Sequence, residues 1–277
     1  MSERSSVEPA AHEVLAAALV ECRASPLRED RSPDSGELID ELLARLDAEP
    51  PVGNLAEWLA GFGTDEQRKE ALVDIVSLIA RDLAPDDEPP SAGGAAELWQ
   101  ALVILTDHLY GSGVEPMGRL PFISDRLLEM LSAESQSAGR RVDRAGEAGR
   151  VLASLAVSGK LREAVTTAVG FPVNPTYRAV YLYDTPRSHV RTHVDTHDYE
   201  VVFHLILDHT VPVAEAGSAL VVHQVGGAGA RRVRLEPGEA VALRGRGMIH
   251  SWEPMGAEEH RTLIAIGFQR ADAETGS

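Results

Sequence analysis

The chain holds a single cysteine, Cys22, among its 277 residues. That excludes an intrachain disulfide framework and any zinc cluster built from thiolates. Lysine is nearly absent: Lys69 and Lys160 are the only two, so 24 of the 26 basic residues are arginine. Long apolar runs are missing as well. Val14–Val20, Ala101–Leu105 and Val201–Leu207 fall far short of the roughly 20 residues that a bilayer requires. The opening MSERSSVEPAAHE has neither a basic n-region nor an apolar h-region, so no secretory leader is expected and the chain reads as cytoplasmic. Positive charge is outnumbered: 26 basic residues stand against 43 acidic ones, a formal charge of −17. A surface of that sign repels phosphate backbones and anionic lipid, which argues against nucleic-acid and membrane partners.

What remains is an ordinary globular composition, 44% hydrophobic and 25% charged. The first part reads as helices. Apolar residues recur at three- and four-residue spacing in Val14–Val20 and Leu38–Leu46. Thr64-Asp65-Glu66-Gln67 has the form of a capping box opening the periodic stretch Ala71–Leu83. Helical periodicity returns in Ala96–Leu109, Ile123–Leu131 and Val142–Val169. After Gly170 and Pro172 the pattern changes to strands: Tyr177–Tyr183, Tyr199–Leu207, Ala219–His223, Arg231–Leu235, Ala240–Leu243 and Arg261–Phe268. Short strands without intervening helices suggest an antiparallel sandwich or jelly roll. The expected class is therefore α+β: an α-helical region over 1–172, a cupin-like jelly-roll core (a double-stranded β-helix) over 173–270, and a frayed tail over 271–277.

Histidine points to where the chemistry lies, since eight of the ten fall between His189 and His260. His193-Val194-Asp195 is the only His-x-Asp triplet. On a strand, residues i and i+2 leave the same face, so an imidazole and a carboxylate would aim at a common centre. His250 follows later, after the turn-and-strand phrase Leu235-Glu-Pro-Gly-Glu-Ala-Val-Ala-Leu. Two imidazoles and a carboxylate make the facial triad of non-haem Fe(II) oxygenases, although a surface histidine beside a turn aspartate is the ordinary reading of His-x-Asp alone. Alternation in Arg261–Phe268 sets Arg261, Leu263, Ala265 and Gly267 on one face, with Thr262, Ile264, Ile266 and Phe268 on the other. A guanidinium beside small residues suits a bound carboxylate; taken alone, an edge arginine reaching solvent is the simpler account.

Together these phrases resemble the Fe(II)/2-oxoglutarate-dependent dioxygenase superfamily over roughly residues 176–269, including its prolyl-hydroxylase-like and aspartyl/asparaginyl β-hydroxylase-like members. The resemblance implies that His193, Asp195 and His250 ligate Fe(II), and that Arg261 anchors the distal carboxylate of 2-oxoglutarate. It implies a co-substrate contact for Tyr183, and one for His204, which a role as a core histidine rivals. Asp195 stands where halogenases of the superfamily carry Gly or Ala, which favours hydroxylation. Val202 stands where the β-hydroxylase branch has Arg, so the resemblance is to the superfamily and not to that branch. The implied reaction consumes O2 and 2-oxoglutarate and oxidises an aliphatic carbon of a small molecule, a free or carrier-tethered amino acid being the first expectation. The helical region would supply part of a lid or a dimer surface.

The remaining candidates divide between pocket and scaffold. His197 could serve the substrate pocket, and Arg244 and Arg246, on a loop loosened by Gly245 and Gly247, could receive an acidic substrate or lie solvated. Trp252 could line the mouth of the site or belong to the core. His189 would share strand parity with His193 only on an unbroken strand, while His209, His223 and His260 read as loop or strand-end residues. The rival to the enzyme reading is a cupin-like metal-binding module or isomerase that does not use 2-oxoglutarate.

Overall fold

The computed structural model describes residues 9–24, 34–85, 88–137, 145–195, 199–212, 217–226 and 230–271. Five helices come first: α1 (Ala11–Ala24), α2 (Asp34–Ala48), α3 (Leu55–Ala60), α4 (Glu66–Leu83) and α5 (Gly93–Tyr110). Each buries one stripe. In α1 it is Leu15, Leu19 and Cys22; in α4 it includes Leu72, Ile75, Val76 and Ile79. The helix starts are chemically marked, though α4 is capped one residue later than the Thr64 pattern suggests. The Asp65 carboxylate accepts from the Arg68 amide at 2.9 Å. Asn54 caps α3 in the same way. The short α3 has no counterpart in the sequence reading.

Two antiparallel sheets follow, and they draw on both parts of the chain. The larger contains β1 (Val114–Arg119), β2 (Ala145–Glu147), β3 (Val173–Asp184), β5 (Val201–Thr210), β8 (Glu239–Leu243) and β10 (His260–Arg270), in the order β1-β8-β5-β10-β3-β2. The smaller contains β4 (Val190–His193), β6 (Leu220–Val222), β7 (Arg231–Val233) and β9 (His250–Trp252), in the order β4-β9-β6-β7. Three further helices are α6 (Asp125–Ser137), α7 (Arg150–Ala156) and α8 (Gly159–Val169). The single helix expected over Val142–Val169 is thus a strand and two helices. Gly149 and Ser158 precede α7 and α8, and Gly170 ends α8 with φ +80°. Strands β1 and β2, inside the stretch read as helical, extend the larger sheet at its two edges.

The layers are set by side-chain alternation. One face of the larger sheet (Tyr181, Phe203, Leu205, Ile264, Ile266, Phe268) packs on α6–α8 through Leu131, Leu152, Leu161 and Val165. Its other face (Ile206, Val241, Leu243, Leu263) meets Leu220, Val222, Val233 and Trp252 of the smaller sheet. The far side of the smaller sheet is closed by α1–α5, whose core takes in Val194 and Ile249. The helical part therefore splits, one group on each outer face. No helix among the described residues is long and apolar enough to cross a membrane.

Candidate metal centre

The metal-type residues converge on the rim of the smaller sheet. Strands β4 and β9 pair antiparallel with His193 directly opposite His250, and their ring centroids lie 4.3 Å apart. Asp195 lies two residues past His193, on the same side, while Val194 between them turns into the helical core. The Nε2 atoms of His193 and His250 each stand 3.6 Å from Asp195 Oδ1. One ligand atom from each of the three residues can be chosen so that all lie within 4.8 Å of one another.

Both rings are oriented from behind. Nδ1 of His193 donates to the Arg191 carbonyl at 2.8 Å, and Nδ1 of His250 donates to the Met248 carbonyl at 2.9 Å. A carbonyl oxygen only accepts, so the proton sits on Nδ1 and the Nε2 lone pair faces the carboxylate, as a metal-binding imidazole requires. Burial, reinforced by the neighbouring His193 ring, pushes His250 down to about 4, so it is neutral near pH 7. Burial opposes ionisation of Asp195, but the pull of the His250 and His193 imidazoles in their protonated form outweighs it and holds its pKa below the ordinary aspartate value. Asp195 Oδ2 is buried and has no hydrogen-bond partner. An uncompensated carboxylate oxygen costs free energy, and a cation bound between the three residues would remove that cost. The donor set fits a divalent transition metal such as Fe(II).

Room for that carboxylate comes from a glycine that the sequence reading took only as loosening a loop. Gly245 begins a buried 3-10 turn (Gly245–Gly247), and a Cβ placed on it would stand 1.5 Å from Asp195 Oδ2. Its carbonyl also accepts from the Asp195 amide at 3.1 Å. Gly247 is needed for close packing in the same way, against the Gly111 carbonyl. These glycines serve close approach and do not loosen a loop. Arg244 and Arg246, beside them, are both engaged by other parts of the protein. Arg244 donates to the Val169 carbonyl and lies over Phe171, while Arg246 pairs with Glu70 at 2.9 Å and stacks on Tyr110.

Further into the space between the sheets stand His204 and Trp252, ring centroids 5.8 Å apart. His204 shares the inner face with Ile206 because a bulge near Leu207 changes strand parity only beyond that point. Its Nδ1 is buried without a hydrogen-bond partner, and burial pushes its pKa down to about 4. Beyond Trp252 lies Arg261, on the inner face that alternation predicts and 2% exposed; its Cζ sits 3.8 Å from the centre of the indole. Trp252 thus belongs to the core and roofs the arginine. The guanidinium has a carboxylate already: Nε and Nη2 both donate to Asp184 Oδ2, at 2.9 and 2.5 Å, and Nη1 donates to Ser218 Oγ at 3.2 Å.

Tyr183 is not with them. Adjacent to Asp184 on β3, it points to the opposite, helix-covered face, where its hydroxyl donates to the Ser135 carbonyl. The one-residue step between Tyr183 and Asp184 decides which side chain meets Arg261, and Asp184 is the one that does. His197 lies outside the described residues. His209 donates to Glu259, His223 is buried edge-on to Trp99 at 4.9 Å, and His260 is exposed at the start of β10.

No protein-family model matches the chain, and no curated protein sequence matches it. Solved structures similar to it include a prolyl-4-hydroxylase of Pseudomonas putida, 18% identical, covering 61% of this chain and 98% of that one at a TM-score of 0.42. HygX of Streptomyces hygroscopicus, determined with nickel, 2-oxoglutarate and hygromycin B, is 16% identical over 61% and 86%, at 0.45. A 2OG-Fe(II) oxygenase family oxidoreductase of Burkholderia pseudomallei is 14% identical over 62% and 91%, at 0.47.

Proposed function

We propose that the protein is an Fe(II)- and 2-oxoglutarate-dependent dioxygenase that hydroxylates an aliphatic carbon of a small molecule, and that its two sheets form a jelly-roll core. The observation that carries this reading is the trio of His193, Asp195 and His250, the last two buried and His193 half-buried at the edge, with both Nδ1 atoms tied to carbonyls and Asp195 Oδ2 left bare. The three residues hold the metal. Arg261 and His204, on the same inner face, receive the distal carboxylate of the co-substrate. Ile206, Val222, Leu243 and Leu263 keep water from the space between. Bound there, the metal with 2-oxoglutarate and O2 supplies the oxidising chemistry, releasing succinate and CO2 as a C–H bond is oxidised. A free or carrier-tethered amino acid is the substrate class we assign, and a net charge of −17 weighs against a nucleic acid in that place. One cysteine, buried in the helical core, is in keeping with a cytoplasmic setting.

One observation favours a second reading. Arg261 is already paired with Asp184, as in a protein whose arginine is structural and whose jelly roll binds metal without 2-oxoglutarate. Anaerobic addition of Fe(II), then of 2-oxoglutarate, distinguishes them. A weak visible charge-transfer band that needs both additions is the expected result. Metal binding without the band would transfer the chain to the cupin-like class.

A further inference from the structure

We propose that Asp184 tunes co-substrate affinity: by holding one edge of Arg261 and offsetting its charge, it weakens the grip of the site on the distal carboxylate of a 2-oxo acid. This rests on the reading of 2-oxoglutarate as co-substrate. The register of β3 against β10 places Asp184 opposite Arg261, and the two are 4% and 2% exposed. A guanidinium has five N–H donors. Asp184 Oδ2 takes two and Ser218 Oγ takes one, which leaves one on each terminal nitrogen. Ser218 is fixed in turn, its amide donating to Glu259 Oε1 at 2.7 Å and its hydroxyl to Met255 Sδ at 3.0 Å. Glu259 is a second buried carboxylate at this end, held by His209 and the Gly256 amide as well.

An incoming carboxylate therefore meets a cation that is already neutralised, with a second anion close by. It gains two charge-assisted hydrogen bonds and meets repulsion from Asp184. Asp184→Asn keeps the shape and an oxygen to accept from Arg261, but removes the charge. The guanidinium then loses its directly bonded counter-ion and keeps only Glu259, beyond Ser218, to offset its charge, and the ligand supplies a direct one. The variant is expected to melt lower by itself yet rise further in Tm with 2-oxoglutarate than the unaltered protein does.

The test is anaerobic titration of the Fe(II)-loaded protein with 2-oxoglutarate and with 2-oxopentanoate, which has the same chain length but no distal carboxylate. Calorimetry gives both Kd values without turnover. In the unaltered protein the two should differ by less than about thirtyfold, because an unopposed pair of charge-assisted bonds would be worth roughly a hundredfold or more. In Asp184→Asn the gap should widen about tenfold or more, through tighter 2-oxoglutarate binding. A gap above thirtyfold in the unaltered protein, or an unchanged gap in the variant, overturns the proposal. The first of these needs no variant, so a variant that fails to fold does not shelter it. Binding of Fe(II) with neither keto acid would overturn the co-substrate reading itself, a separately visible result.

Discussion

At one end of the space between the sheets, Asp195 Oδ2 and His204 Nδ1 are buried without hydrogen-bond partners. At the other, Arg261, Asp184, Ser218, Glu259 and His209 form a continuous chain of donors and acceptors. Burying a polar atom unpaired costs about 1–3 kcal/mol, so the first end carries a cost that only a ligand relieves. The second end spends most of its polar groups on one another, and leaves one N–H on each terminal nitrogen of Arg261. The contrast teaches that burial and charge alone do not mark a binding site. What marks it is which donors and acceptors the fold leaves unspent.

The contrast can be broken most severely at the metal end. His250→Ala or His193→Ala should abolish stoichiometric Fe(II) binding by calorimetry while the melting profile keeps one cooperative transition; retained tight binding would remove the trio from consideration. Gly245→Ala comes next. Gly245 is not among the residues with positive φ, so alanine suits its backbone, and the penalty is the collision with Asp195. Displacing the carboxylate should weaken metal affinity by about 10- to 100-fold, in the range usual for residues that orient ligands. Unaltered affinity would mean that Asp195 does not ligate from this position.

The paired end should respond in stability instead. Burial raises the Glu259 pKa, but the Gly256 amide, the His209 ring and the Ser218 amide outweigh it and bring it down to about 2, from an ordinary 4.5. A depressed carboxylate contributes its full stability above about pH 4.5 and loses it as pH falls toward 2. Glu259→Gln should cost about 2–3 kcal/mol in urea unfolding at pH 7 and flatten the acid limb below pH 4.5, with Fe(II) affinity retained. Smallest of all is Tyr183→Phe. It removes one hydrogen bond on the helix-covered face, about 1 kcal/mol, and should leave both metal and keto-acid affinity unmoved. A large loss of 2-oxoglutarate affinity there would restore Tyr183 to the site.

The helical half shows a parallel division of labour. Val194, between two metal-type residues, and Ile249, just before the third, insert into the core of α1–α5. The Val194 amide donates to Ser77 of α4 at 3.3 Å. The helices on that side thus back the metal-bearing strands, while α6–α8 only cover the larger sheet.

The patterns legible in the chain are those with a short period. The i, i+2 spacing of His193 and Asp195, the face shared by Arg261, Leu263 and Ala265, and the three- and four-residue stripes of α1, α2, α4 and α5 depend only on local geometry, and all are found in the structure. The class, helices joined to antiparallel strands, follows from the same periods. Strands β1, β2, β4 and β9 are missing from the stretches read as strands because VEPMGR, AGE, VRTH and HSW carry polar residues, glycine or proline where the equally short β6 and β8, LVV and EAVAL, show an apolar run. Asp184 and Gly245 were illegible for another reason: each acquires its role from a partner far away in the chain. Only strand register decides that Asp184 and not Tyr183 meets Arg261, since a one-residue slip would exchange them. Only the close packing of two segments makes the absence of a Cβ at Gly245 the room for Asp195. Residue chemistry and its short spacing belong to the sequence by itself; which atoms are satisfied and which are left bare was decided by the tertiary structure, because hydrogen bonds are spent between segments and not within them.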